Sequence, residues 1–96
     1  MVRSFKNKLA KDLFEDRSST AAKRFPSDLK RIAQRKLQYL NAAMTLRDLL
    51  IPPGNKLEAL KGERKGYHSI RIHDQWRVVF RWIENGATDV SVEDYH

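Results

Sequence analysis

A proline-rich break near the middle of the chain separates two different apolar periodicities. Residues 51–55 read Ile-Pro-Pro-Gly-Asn, where the prolines lack backbone donors and the glycine permits a positive φ. Before the break, apolar residues recur at the 3.6-residue spacing of a helix: Leu29, Ile32, Ala33, Leu37, Leu40 and Ala43. After it, runs rich in β-branched and aromatic residues alternate with turn residues. The sequence therefore predicts an α+β fold with helices on one side of an antiparallel sheet.

The expected elements follow one another along the chain. Residues 1–5 are typical of a short edge strand, residues 8–15 of a helix, and residues 18–22 of a mobile loop. Pro26 and Ser27 open the longest helix, and Ser27 is its predicted N-cap. Strands are expected at residues 56–61, 67–72, 76–83 and 88–94.

The charge distribution indicates a negatively charged partner. The chain has 96 residues, which fits one domain over residues 1–96, and a formal net charge of +7. All nineteen Lys and Arg residues precede residue 82, whereas residues 82–96 hold four acids. A positive field of this kind attracts nucleic acid or an acidic protein.

The same composition bears on the compartment. The sequence contains no cysteine, which excludes disulfides and Cys-based zinc sites and suits a reducing environment. No stretch of the sequence approaches the roughly 18 apolar residues that span a bilayer, and residues 1–6 do not resemble a signal peptide. We therefore expect a soluble, cytoplasmic protein without membrane contact.

The register of the second hairpin decides what lies beside Arg77. A three-residue loop at residues 73–75 places Ile72 opposite Trp76, so that the apolar side chains share one face. Arg71 and Arg77 then pair on the other face. A two-residue turn would set Arg77 among the isoleucines, so the longer loop is favoured.

The last hairpin leaves two alternatives open. A two-residue turn at residues 85–86 puts Asp94 opposite Arg77, whereas a three-residue turn that keeps the valines on the core face brings Tyr95 there. Either alternative places the last three residues of the chain near Arg77.

This arrangement brings cations to an acid–base cluster. The cations are Arg71, Arg77, Lys61, Arg64 and Lys65, and the cluster is Asp94, Tyr95 and His96. RNA cleavage needs a group that accepts the 2'-hydroxyl proton, cations that stabilise the phosphorane, and a proton donor for the leaving 5'-oxygen. His96 is the natural titrating group near neutral pH. Taken alone, however, arginines and carboxylates on neighbouring strands are more often structural ion pairs.

Metal-dependent chemistry is not expected. His68 and His73 are predicted to point to opposite faces, and neither has an acidic partner at ligand spacing. We expect neither a metal nor another cofactor.

Four motifs occur in order through the second half of the chain. They are Pro52-Pro53-Gly54-Asn55-Lys56-Leu57-Glu58-Ala59-Leu60-Lys61-Gly62, Gly66-Tyr67-His68-Ser69-Ile70-Arg71-Ile72, Gln75-Trp76-Arg77-Val78-Val79-Phe80 and Glu93-Asp94-Tyr95-His96. This series closely resembles the HigB-type toxins of the RelE/ParE superfamily, especially their GraT-like branch. The resemblance covers nearly the whole chain. It implies a RelE-like domain, with two N-terminal helices on a curved antiparallel sheet.

The resemblance also implies an activity. HigB-type toxins are metal-free endoribonucleases that cut messenger RNA in the 30S A site by 2'-hydroxyl attack. Carried over by motif, Arg77 stabilises the transition state, Lys61 contacts the phosphate, Asp94 and His96 handle protons or orient the nucleophile, and Tyr95 positions or stacks on the nucleotide. The further RNA-binding residues would be Lys56, Arg64, Lys65 and Arg71. Glu58 stands where some HigB proteins carry histidine, which leaves its role in proton transfer in doubt.

The implied partners are messenger RNA, ribosomal RNA and a HigA-like antitoxin with a helix-turn-helix domain, with operator DNA bound only through the toxin–antitoxin complex. Two other functions remain open: a ParE-like gyrase inhibitor, and a non-catalytic nucleic-acid-binding module. The basic helical face around Arg31 and Arg35 is typical of a solvated surface. It could equally meet ribosomal RNA or the antitoxin.

Overall fold

Helices occupy the first half of the chain and strands the second. The structure is a computed structural model that describes residues 1–95. Its α-helices are α1 (Lys8–Phe14), α2 (Thr20–Arg24) and α3 (Lys30–Ala42). Its strands are β1 (Glu58–Ala59), β2 (Tyr67–Arg71), β3 (Trp76–Ile83) and β4 (Gly86–Asp94), which form one antiparallel sheet in the order β1-β2-β3-β4. Short 3-10 helices lie at Ser27–Leu29, Leu46–Leu50, Pro53–Asn55 and Gly62–Arg64.

The core lies between the helices and one face of the sheet. Leu13 of α1 and Leu37 of α3 are fully buried, as are Ile70, Val78 and Phe80 of the sheet. Removing these apolar side chains from water is the main force that holds the two layers together. The predicted α+β architecture is therefore confirmed. In the part of the chain that the structure describes, no helix is long and apolar enough to cross a membrane.

The second hairpin has the predicted register. Arg71 pairs with Arg77, and the backbone N–H of Ile72 donates to the Trp76 carbonyl at 3.0 Å. Because side chains alternate along a strand, both arginines lie on the face away from the helices.

Both alternatives for the last hairpin are wrong. Its turn lies one residue earlier, at Glu84 and Asn85, whose φ angles of 49° and 62° are left-handed, and Ile83 pairs with Gly86. Two consecutive left-handed residues make the hairpin turn whose twist matches that of the strands.

A β-bulge then resets β4. The register shifts between Val79 and Arg81 of β3, opposite the point where Asp89 of β4 has a φ of 51°. The extra residue allows Ala87 before the bulge and Val90 after it both to face the core, where each is fully buried. As a result Glu93 lies opposite Arg77, and Asp94 lies opposite Trp76.

The first half of the chain departs from expectation at several points. The loop predicted at residues 18–22 is wrong, because the Ser19 hydroxyl caps α2 by accepting from the Ala22 N–H at 3.1 Å. The N-cap predicted at Ser27 is also wrong, because Ser27–Leu29 is a 3-10 helix and α3 begins at Lys30.

The predicted edge strand at residues 1–5 and the predicted strand at residues 56–61 are both much shorter than expected. Residues 1–5 make only isolated parallel bridges to β4, through Val2 and Phe5. Of residues 56–61, only Glu58–Ala59 pairs with β2, because the chain turns away into the 3-10 helix at Gly62–Arg64.

A buried asparagine holds the segment that leads into β1. The Asn55 side chain donates to the carbonyls of Leu49 and Ile51 at 3.2 and 3.3 Å. It also accepts from the Lys36 ammonium at 2.6 Å. Burial lowers the pKa of Lys36, and the nearby charges of Arg35 and Arg71 add to this effect. Asn55 thereby ties the proline-rich segment to α3 and fixes the position of β1.

Replacing this side chain should destabilise the fold. Asn55→Ala leaves the Leu49 and Ile51 carbonyls and the Lys36 ammonium without this partner, so we expect a loss of about 2–4 kcal/mol in the free energy of unfolding. Urea titration measures it. Asn41→Ala is the matched control, because Asn41 is exposed and its side chain accepts, within the described residues 1–95, only from the Val2 N–H. Equal losses in the two variants would contradict the assigned role of Asn55.

Candidate active site

The sheet face opposite the helices has a floor of small side chains. Ser69, Val79 and Ser91 lie side by side across β2, β3 and β4, and none is more than 1% exposed. Small side chains in one row leave space above the centre of the sheet. Longer side chains from its two edges cover that space.

Two side-chain pairs cross this face. The Arg64 guanidinium, which follows β1, bonds to the Glu93 carboxylate on β4 at 2.5 Å. The Tyr95 hydroxyl, which follows β4, donates to the Glu58 carboxylate on β1 at 3.2 Å. Contacts between opposite edges require a strongly curled sheet, so the face is concave. A cleft of about 540 Å³ opens beside these pairs, lined by Glu58, Ala59, Leu60, Lys61, Arg64 and Tyr95.

Arg77 lies at the centre of the concave face. The Tyr95 ring covers its guanidinium, with 4.9 Å between the guanidinium carbon and the ring centroid. Nε and Nη1 of Arg77 are buried, and neither has a hydrogen-bond acceptor within residues 1–95. A buried charged donor without an acceptor is costly. The arrangement is thus prepared for an anion.

Glu93 is the nearest carboxylate by register, yet it is turned elsewhere. It accepts hydrogen bonds from Arg64 and from the Ser91 hydroxyl, each at 2.5 Å. Burial on its own would raise the pKa of Glu93, but the hydrogen bonds from Ser91 and Arg64 outweigh burial and hold the pKa below its usual value. The carboxylate therefore stays ionised and committed to Arg64, which leaves Arg77 available.

Cations continue along the same face. The Lys6 ammonium and the Arg81 guanidinium both lie over the Tyr67 ring, at 5.3 and 5.6 Å from its centroid. Such contacts stabilise the aromatic ring and both charges. They extend the positive surface from Arg77 toward the far end of the sheet.

The structure brings together five of the residues singled out from the sequence. Glu58, Lys61, Arg64 and Tyr95 line the cleft, and Arg77 lies under the Tyr95 ring. The predicted contact between the cationic strand face and the last residues of the chain is therefore made by Tyr95, whose ring lies over Arg77.

Other predicted site residues lie outside this group. Asp94 is exposed, pairs with Trp76 on the opposite face of the sheet, and accepts from the Gln75 amide at 2.9 Å. Arg71 lies beside Arg77, but its guanidinium bonds to Asp74. The remaining three are exposed Lys56 and Lys65, which do not line the cleft, and His96, which is outside the described residues.

His68 and His73, the histidines within residues 1–95, show no metal-site geometry. His68 stacks on Phe80 with ring centroids 6.1 Å apart, and burial lowers its pKa. Within residues 1–95, no three His, Cys, Asp or Glu side chains converge as metal ligands would.

Two residues of the concave face were missed from the sequence. Glu93 was hidden by the bulge, since its position opposite Arg77 depends on one inserted residue in β4. Ser69 was not singled out, although its place two residues before Arg71 on the same strand puts it on the Arg77 face.

Comparison with known proteins identifies the family. A family model described as the RelE-like toxin HigB of type II toxin–antitoxin systems matches residues 3–96. The chain belongs to the HigB-like toxin family. The partner of a type II toxin is an antitoxin, so this HigB-like toxin has an antitoxin partner.

Individual relatives agree with this assignment. The HigB-like toxin is 36% identical to Toxin HigB-1 of Vibrio cholerae over 95 residues, which cover 99% of this chain and 98% of that protein. It is 38% identical over 96 residues to Endoribonuclease HigB of Proteus vulgaris, with both chains covered completely. These relatives and the motif series confirm the resemblance inferred from the sequence.

Solved structures confirm the RelE-like fold. The YoeB–YefM complex from Staphylococcus aureus matches with a TM-score of 0.62 at 19% identity, over 100% of this chain and 98% of that one. A YafQ mutant from E. coli matches with a TM-score of 0.58 at 17% identity, over 98% of this chain and 93% of that one.

The Glu93 bonds predict a pH-dependent contribution to stability. A carboxylate whose pKa is depressed in the folded state stabilises the fold above its unfolded pKa, about 4.3 for Glu. That contribution is lost as the pH falls through the folded pKa. Glu93→Gln should therefore lower the free energy of unfolding by about 1–2 kcal/mol at pH 7, and the difference from wild type should shrink below pH 4.

Denaturant unfolding at pH 7 and pH 3 measures this difference. Glu84→Gln serves as the control, because the Glu84 side chain is 83% exposed and its Arg3 partner is 3.8 Å away. A Glu93→Gln penalty that is the same at both pH values would contradict the assigned ion pair.

Proposed function

We propose that this HigB-like toxin is a ribosome-dependent, metal-free endoribonuclease that cuts messenger RNA in the A site by attack of the 2'-hydroxyl. The observation that carries the proposal is the buried Arg77 guanidinium, which lacks acceptors for two nitrogens within residues 1–95 and faces a cationic concave surface. The Proteus vulgaris relative, whose name is Endoribonuclease HigB, supports the same activity.

Arg77 is assigned to the transition state. As the 2'-oxygen attacks, the phosphorane gains negative charge on its non-bridging oxygens, and a guanidinium already shielded from water stabilises that charge with little reorganisation. Lys61, which lines the cleft beside Tyr95, contacts a phosphate of the same strand. Arg64 adds positive charge at the rim while it remains bonded to Glu93.

Glu58 is assigned to the positioning of Tyr95. Its carboxylate accepts from the Tyr95 hydroxyl, so it holds the ring over Arg77 until RNA binds, when the ring would move onto a nucleotide base. This gives Glu58 a role although some HigB proteins carry histidine there. The family resemblance implies proton transfer by Asp94 and His96, but Asp94 pairs with Trp76 on the opposite face of the sheet, so we assign proton transfer to His96.

The remaining phosphate contacts are assigned to the surface around the cleft. Lys56, Lys65 and Arg71 would contact the RNA strand as it leaves the concave face. Lys6 and Arg81 beside Tyr67 extend that path. Phosphate contacts of this kind hold the strand without reading its sequence.

The proposed partners follow from the family. The antitoxin is HigA-like with a helix-turn-helix domain, and operator DNA is bound only through the complex. The toxin works in the cytoplasm as a single domain, on messenger RNA held by ribosomal RNA. The HigB relatives favour this reading over a ParE-like gyrase inhibitor, and the enclosed Arg77 favours catalysis over a module that only binds phosphate.

Mapping messenger RNA ends on translating ribosomes tests the activity. Wild type should generate new 5'-hydroxyl ends within codons held in the A site, and Arg77→Ala should reduce the cleavage rate by about 100- to 1,000-fold because a transition-state cation is lost. Arg47→Ala, which removes an exposed arginine of the Leu46–Leu50 segment, should cut like wild type. If Arg77→Ala cuts as fast as wild type, the proposed site is wrong. If wild type cuts no messenger RNA and instead inhibits DNA supercoiling by gyrase, the protein is a gyrase inhibitor.

Two substitutions separate the functions of Tyr95. Tyr95→Phe keeps the ring over Arg77 but removes the hydrogen bond to Glu58, so we expect a loss of cleavage rate of about tenfold. Tyr95→Ala removes the ring as well and should be at least ten times slower again, since stacking contributes about 1–3 kcal/mol per base. Single-turnover cleavage on programmed ribosomes gives both rates. Equal rates for the two variants would exclude a role for the ring.

A further inference from the structure

The floor of the concave face contains a second buried donor that the proposed mechanism does not use. Ser69 is 0% exposed, and its hydroxyl makes no hydrogen bond within the described residues 1–95. A hydroxyl buried in this way costs free energy compared with an apolar side chain of the same size. A ligand on the concave face that offers an acceptor to this hydroxyl would remove the cost.

The sheet register places Ser69 beside Arg77. Ser69 pairs with Val79, which is two residues from Arg77 on β3, so Ser69 and Arg77 are diagonal neighbours on one face. Side chains in such positions start about 7 Å apart, and the long arginine side chain closes part of that gap. Ser69 also pairs with Glu58, which bonds to Tyr95. Ser69 is therefore flanked in the sheet by Arg77 on one side and by Glu58, which lines the cleft, on the other.

The orphaned groups have the same chemical character. Nε and Nη1 of Arg77 are donors only, and the Ser69 hydroxyl donates whenever an acceptor is present. Three donors on one concave surface are complementary to an anion with several oxygens. The Glu93 carboxylate does not serve here, because it is held by Arg64 and Ser91.

We infer that Ser69 is a further substrate-binding residue, whose hydroxyl donates to a non-bridging oxygen of the RNA phosphate that Arg77 holds. This inference rests on the proposed RNA substrate and adds a neutral donor to its phosphate site. Because Nε and Nη1 are shielded, a phosphate reaches them only after a covering group moves, and the Tyr95 ring is the group that lies over the guanidinium. If the Tyr95 ring moved onto a nucleotide base, it would uncover the Arg77 guanidinium and hold the nucleotide at the same time.

Thr88 supplies a matched control for the test. It lies on β4 opposite Arg81, and its hydroxyl is also buried without a hydrogen-bond partner in residues 1–95. Arg81 is four residues along β3 from Arg77, which is about 13 Å in a strand. Thr88→Val and Ser69→Ala thus each remove one orphaned buried hydroxyl, but only Ser69→Ala removes it beside Arg77.

The two variants are compared with wild type in three measurements. Fluorescence anisotropy measures the binding of a short, fully 2'-O-methylated RNA at several salt concentrations. Single-turnover reactions on programmed ribosomes measure the cleavage rate. Thermal unfolding measures the stability of each variant. Ser69→Ala should weaken RNA binding about tenfold, as expected for one hydrogen bond to a charged group, with an unchanged salt slope because no cation is lost. Its cleavage rate should fall at least as much. Thr88→Val should bind and cleave like wild type, and both variants should unfold at the same or a higher temperature.

The possible outcomes separate this inference from the proposed function. If wild type cleaves and Ser69→Ala binds and cleaves equally well, the inference is wrong and the nuclease assignment stands. Equal losses in Ser69→Ala and Thr88→Val would also overturn it, because the effect would then be structural. If wild type binds the RNA but cuts no messenger, the nuclease proposal fails, and weaker binding by Ser69→Ala alone still supports the phosphate site. If wild type neither binds nor cuts RNA, both are wrong.

Discussion

The commitment of Glu93 to Arg64 and Ser91 is the interaction on which the rest of the site depends. Glu93 lies opposite Arg77 in the sheet, and a carboxylate there would ordinarily pair with the guanidinium. Instead, the Glu93 carboxylate accepts one hydrogen bond from Arg64 across the concave face and one from Ser91 on its own strand. Arg77 therefore keeps buried donors that have no acceptor in the described chain. A site for an anion exists because an internal anion is held away from it.

The fold provides this geometry through one inserted residue. Without the bulge near Asp89, the side chains of β4 would alternate without interruption, so Ala87 and Val90 would point to opposite faces and could not both be buried. With the bulge, the core packing of Ala87 and Val90 on one face of the sheet also decides which β4 residue lies opposite Arg77 on the other face. That residue is Glu93. The curl of the sheet then brings Arg64 from one edge to Glu93 at the other. Packing and chemistry in this small domain are thus connected through the same strand.

The sequence reveals the architecture and part of the site, for physical reasons that differ by region. The regular alternation through β2 and β3 gave the correct pairing of Arg71 with Arg77, because a one-residue slip would have exposed the isoleucines. The last hairpin could not be derived. Its turn uses Glu84 in a left-handed conformation that glutamate seldom adopts, and Asn85-Gly86 offered a more conventional turn one residue later. The earlier turn moves the partner of Arg77 back by two residues and the bulge moves it forward by one, so Glu93 lies where the sequence offered Asp94 or Tyr95.

Other features depend on contacts that local sequence patterns do not encode. The five residues of α2 are too few to show a helical period, and their Ser-rich approach is typical of a loop. The pairs Arg64–Glu93 and Tyr95–Glu58 join segments 29 and 37 residues apart, and they form only because the sheet is curled. Motif resemblance supplied Lys61 and Tyr95 as site residues, and the structure places both at the cleft. It did not reveal the buried Ser69 hydroxyl, which becomes conspicuous only when donors and acceptors are counted in three dimensions.

The most direct test is a structure of this toxin on a ribosome whose A-site messenger carries a 2'-O-methyl group at the cleavage position, which blocks attack. The account predicts that the RNA lies on the concave face, with a phosphate oxygen within hydrogen-bond distance of Arg77 Nε or Nη1 and with Glu93 still bonded to Arg64. A messenger that runs along the helical side, or an Arg77 guanidinium that pairs with Glu93 while RNA is bound, would contradict it.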